Sequence, residues 1–137
     1  MSVWVVDDKG SAPRYLTPEN LLGVSPDGRW AFGVVSAIPV DDGEPRTLPL
    51  KRGDLPLAWS PDGQFLFVAA DALPRRWPIE IERVTIATGE RKPWRTIPSP
   101  DSESGAWRQV LLTPDGKSYV YSFRREQSRL YLLEGVR

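Results

Sequence analysis

The chain has 137 residues, 18 Lys+Arg against 18 Asp+Glu, no His and no Cys. A balanced charge gives no global field toward nucleic acid or anionic lipid. The missing imidazoles and thiols exclude disulfides, His/Cys metal sites, Cys nucleophiles and any Ser/His/Asp relay.

In chain order the first predicted element is a short strand over Val3 to Val6, followed by a turn at Asp7-Asp8-Lys9-Gly10 and a strand from Arg14 to Thr17. An apolar run Leu21-Leu22-Gly23-Val24 then leads into Ser25-Pro26-Asp27-Gly28, and Trp30 to Val35 follows. Ser36 to Glu44 reads as too short for a normal third strand. Leu57-Ala58-Trp59 leads into Ser60-Pro61-Asp62-Gly63 and out along Phe65 to Ala70. Two further strands, Ile79 to Ile86 and Arg91 to Ile97, flank a turn at Ala87-Thr88-Gly89-Glu90. After a loop over Pro98 to Gly105, Val110-Leu111-Leu112 leads into Thr113-Pro114-Asp115-Gly116 and then Tyr119 to Phe123. Leu130 to Leu133 reads as one more strand.

The same strand-turn-strand unit therefore occurs three times. Pro presets φ at the second turn position, Asp bonds local amides at the third, and Gly accepts positive φ at the fourth. Asp27, Gly28, Asp62, Gly63, Asp115 and Gly116 are accordingly structural turn residues rather than calcium ligands. The acidic pairs Asp7-Asp8 and Asp41-Asp42 also head turns and are not read as a glycosidase acid and nucleophile. No window keeps a 3.6-residue apolar period free of Pro or Gly, so almost no helix is expected.

The motifs begin at 25, 60 and 113, spacings of 35 and 53 that straddle the ~40–45 of four-stranded propeller blades. The expected fold is all-β: a partial β-propeller of about three four-stranded antiparallel blades. The chain divides into a partial blade over 1–19, blades over 20–50 and 51–100, and an incomplete blade over 101–137. Propellers close with ~4–8 blades, so about three leave an open ring. Either the chain belongs to a longer propeller, or two copies pair edge to edge as a homodimer of about six blades, the preferred expectation.

Trp59-Ser60-Pro61-Asp62-Gly63 resembles the repeat of WD-like, TolB-type propellers. Leu112 to Arg125, with Ser128 to Gly135, resembles the propeller end of bacterial receptor-like serine/threonine protein kinases. That resemblance implies a sensing or partner-binding module in a parent whose kinase domain lies elsewhere. It also implies an extracytoplasmic compartment; outside that family a cytoplasmic one is expected. The chain lacks a glycine-rich phosphate loop, a His-Arg-Asp loop and a Gly-x-Ser-x-Gly elbow, and Ser25 to Trp30 departs from the sialidase box.

Function follows as an expectation: a non-catalytic module binding a protein or peptide, with no cofactor, metal, nucleic acid or membrane insertion. The rival is an accessory or gating propeller of a prolyl-oligopeptidase-like hydrolase or glycan-active enzyme. Arg75-Arg76-Trp77 and Arg91 to Arg95 put cations beside indoles, so Trp77, Trp94, Trp107, Arg76 and Arg95 form the candidate partner-binding surface. Trp30 and Trp59, beside turns, belong with the core.

Overall fold

A computed structural model describes residues 2–18, 20–125, 129–130, 132 and 135. The fold is all-β, with twelve strands in four antiparallel sheets and no helix among the described residues. None of those residues therefore forms a helix long and apolar enough to cross a membrane.

The first sheet pairs β1 (Val3–Val5) with β2 (Arg14–Thr17). The second runs in simple succession through β3 (Gly23–Val24), β4 (Trp30–Phe32), β5 (Ser36–Pro39) and β6 (Arg46–Thr47). The third repeats that order with β7 (Leu55–Trp59), β8 (Phe65–Ala69), β9 (Ile79–Thr85) and β10 (Arg91–Ile97). The fourth pairs β11 (Ser104–Leu112) with β12 (Tyr119–Arg125).

Three expectations change. The stretch 36–44 does carry a third strand, β5, because Ala37 and Ile38 are buried against neighbouring elements whatever their intrinsic preference. β11 starts at Ser104 instead of near Val110, since Gly105 lies so close to the Arg124 carbonyl that a Cβ would stand 2.7 Å from it. Of the strand expected at Leu130 to Leu133, Leu130 and Leu132 are exposed and outside any strand, while Tyr131 and Leu133 lie outside the described residues.

The sheets pack face to face, and β8 shows why. Its sequence Phe-Leu-Phe-Val-Ala has no polar side, as befits a strand covered on both faces. Leu66 and Val68 join Phe32, Ala37, Leu48, Trp59 and Val84 in a core shared with the second sheet. Phe67 and Ala69 point the other way and join Ile79, Ile81, Ile97, Trp107 and Val110 in a core shared with the fourth. The leading strands of successive sheets touch, β3 with β7 and β7 with β11. Asp54, 2% exposed, accepts hydrogen bonds from Arg91 and, at 2.6 Å, from the Lys51 amide. Burial opposes the Arg91 charge, but Asp54 and the nearby Glu82 outweigh it and raise its pKa.

The three Pro-Asp-Gly turns share one hydrogen-bond relay that involves the preceding hydroxyl. Ser25 Oγ donates to Asp27 Oδ1 at 2.5 Å, Asp27 Oδ1 accepts the Arg29 amide at 3.0 Å, and Ser25 Oγ accepts the Trp30 amide at 3.0 Å. Ser60, Asp62, Gln64 and Phe65 repeat it at 2.6, 3.0 and 3.0 Å. Thr113, Asp115, Lys117 and Ser118 repeat it at 2.7, 2.9 and 3.1 Å. The hydroxyl bond first, and the amide second, hold all three carboxyls below their ordinary 3.8.

A carboxyl with a depressed folded-state pKa adds stability that is complete above its unfolded value and is lost as pH falls through the folded one. Denaturation midpoints should therefore stay level down to about pH 4 and fall below it. The triple variant Asp27→Asn, Asp62→Asn, Asp115→Asn should be less stable at neutral pH and show a shallower acid decline. An unchanged acid profile in that variant would contradict the relay.

Candidate functional site

The third sheet presents an uncovered stretch of its outer strands where it meets the fourth. Pro93 has no N–H to give the ladder, and the β9–β10 register slips between Pro93 and Arg95. Trp94 is the extra residue at this slip, and its indole reaches toward the fourth sheet. The ring packs on Phe67 with centroids 5.1 Å apart and stays 38% exposed.

One guanidinium group stacks over it, and a second lies over an aromatic ring of the fourth sheet. Arg83, opposite Phe67 on β9, stacks over Phe65 at 4.5 Å and over Trp94 at 5.5 Å. Arg95 stacks over Tyr119 of β12 at 5.3 Å. No ion pair joins Arg83 or Arg95 to a carboxylate among the described residues. Gly116 makes the close approach of the two sheets possible: a Cβ there would stand 2.9 Å from Trp94 Cζ2 and 3.0 Å from Phe67 Cζ. Its φ of +70° also favours glycine. Arginines ordered on aromatic faces, with donors left over, suit carboxylates on an extended chain.

The five sequence candidates divide between two ends of the sheets. Trp94 and Arg95 belong to the surface just described. Trp107 does not stand at a surface: it is 1% exposed, and its Nε1 donates to the Arg76 carbonyl at 3.1 Å. Trp77 is half-buried, donates to the Gly105 carbonyl at 2.6 Å and meets Tyr121 and Phe123 edge-on. Arg75 adds a hydrogen bond to the Arg108 carbonyl and stacks over Trp107, so these indoles clamp the 70–78 loop to β11. The Arg76 side chain is exposed beside that clamp. Arg83 escaped the sequence reading because it sits in a regular strand with no aromatic next to it in sequence; its strand parity with Phe67 is the signal that finds it.

A second cation-aromatic set marks the junction of the second and third sheets. Arg46 of β6 lies over Trp30 at 4.7 Å and Trp59 at 5.3 Å. It lines a cleft of about 320 Å³ with Gln64, Thr85, Ile86 and Ala87, so the turn after β9 sits beside the outer strand of the preceding sheet. Among the described residues no three His, Cys, Asp or Glu side chains gather as a metal would require. No protein-family model matches the chain, and no curated protein matches it.

Gly116→Ala should displace Trp94, seen as red-shifted emission and easier acrylamide quenching. Gly28→Ala, with φ +73° but open space around its Cβ, should cost only backbone strain, about 1–2 kcal/mol, and leave the emission unchanged. Equal spectra for the two variants would refute the contact.

Proposed function

We propose that the four sheets are consecutive blades, or parts of blades, of a β-propeller, and that the chain is a non-catalytic module binding an acidic protein or peptide segment. Three observations support the architecture: the thrice-repeated turn relay, the contact of leading strands β3, β7 and β11, and the burial of β8 on both faces. Successive blades of a propeller pack in this manner, leading strands innermost.

The observation that carries the binding reading is the exposed Trp94 under Arg83, with Arg95 over Tyr119 on the neighbouring sheet, neither cation in an ion pair among the described residues. An exposed aromatic anchor with a guanidinium stacked on it matches the composition of protein-binding hot spots. The likeness of Leu112 to Arg125 to receptor-kinase propellers fits the same role, with the kinase domain on another part of the parent.

Titration with a synthetic peptide of alternating Glu and Tyr should change the tryptophan emission and weaken with added salt. Trp94→Ala or Arg95→Ala should weaken binding about tenfold, some 1.4 kcal/mol, whereas Arg46→Ala should not. Equal affinity in all three variants, or no binding by the parent chain, would overturn this reading.

A further inference from the structure

We infer that the cleft where the second sheet meets the third takes a small hydroxylated monocarboxylate, of the sugar-acid class, with the Arg46 guanidinium on its carboxylate. The site is separate from the Trp94 surface, which lies where the third sheet meets the fourth.

The cation is positioned by packing. Arg46 stands opposite Ala37 in the β5–β6 ladder, and its guanidinium lies over Trp30 of its own sheet and Trp59 of the next, 4.7 and 5.3 Å from the ring centroids. Both rings are themselves held. Trp59 is 4% exposed and donates its Nε1 hydrogen to the Gly63 carbonyl at 3.0 Å, and Trp30 packs against the core that Trp59 shares with Phe32. Arg46 is exposed and makes no ion pair with a described residue. A guanidinium packed on ring faces still presents the in-plane N–H fork that a carboxylate accepts with both oxygens.

The facing wall comes from two turns of the third sheet, locked to each other by the Ile86 amide, which donates to the Gln64 carbonyl at 2.9 Å. The space between the walls is about 320 Å³, at the small end of the roughly 300–1,000 Å³ of ligand sites. Thr47, Gln64 and Thr85 line it beside Arg46, and their side chains make no hydrogen bond to a described residue. Ile86 and Ala87 add apolar surface.

Charge and the donor inventory select the ligand. Arg46 is the one charged residue lining the cleft among the described residues. One cation balances one carboxylate, whereas a phosphate monoester carries about −1.5 to −2 and would be left under-neutralised. An amino acid fits less well, because its ammonium group would find no anionic partner in the lining. Two hydroxyls and a carboxamide can each both donate and accept, so they match a body bearing several hydroxyls, and the Ile86 and Ala87 side chains match the C–H edges of a sugar ring. An acidic peptide brings carboxylates without those hydroxyls, which is why Arg46 is not assigned to the peptide-binding surface.

Titration of the whole chain with D-glucuronate, followed by calorimetry and by the Trp30 and Trp59 indole N–H resonances, tests the assignment. Glucuronate should bind and shift both resonances. D-Glucose lacks the carboxylate, acetate lacks the hydroxyls and glucose 6-phosphate carries the larger charge, so each should bind at least about tenfold more weakly. Arg46→Gln should weaken glucuronate binding about tenfold or more while leaving the circular dichroism unchanged, since residue 46 is exposed. Thr85→Val should lower the affinity for glucuronate and leave that for acetate as it was, and Trp94→Ala should change neither. Failure of glucuronate to bind, a glucuronate affinity that ignores either substitution at the cleft, or equal affinity for glucose, acetate or glucose 6-phosphate overturns the inference.

Discussion

A sheet that is apolar on both faces must be covered on both, and β8 imposes that requirement on this chain. Four of its five residues are buried, with Leu66 and Val68 completely so. They reach into one core through Leu66 and Val68 and into another through Phe67 and Ala69. Neither neighbouring sheet can be removed without returning a row of large apolar side chains to water, at roughly 1.5–3 kcal/mol for each fully buried one. The stacking order of the second, third and fourth sheets follows from this single strand.

Within that stack the turns fix which residues face which neighbour. Each hydroxyl-carboxylate relay sets the register of a leading pair of strands, and a slip of one residue would exchange its two faces. At the third turn this precision matters for the surface as well, because Gly116 leaves room for the Trp94 indole over which Arg83 stacks. The same residues that join two sheets thus shape the face proposed to receive an acidic partner.

Much of this was legible in the residues alone. The turns at Asp27, Asp62 and Asp115 could be read because proline, carboxylate and glycine each have a local conformational reason to be there. What could not be read depended on neighbours distant in sequence. β5 and β6 are short, β5 ending on Pro39 and β6 following Pro45, and they form because Ala37, Ile38 and Leu48 find cover. Trp107 looked like a loop aromatic until the 70–78 loop, more than 28 residues earlier in the chain, folded over it. Of the cation-indole stretches singled out in the sequence, Arg91 turned inward to the buried Asp54, while Trp94 and Arg95 stayed at the surface where the third sheet meets the fourth. The serine and threonine hydroxyls were visible as part of the repeat, but their role as two-way relays needed the geometry.

Residue-resolved amide hydrogen exchange under native conditions tests the central requirement most directly. With both faces of β8 covered, the amides of Leu66 to Ala69 should be the slowest in the chain and should exchange only by global unfolding, with the same denaturant dependence as the whole molecule. Exchange of β8 as fast as that of the two-stranded fourth sheet would contradict the account.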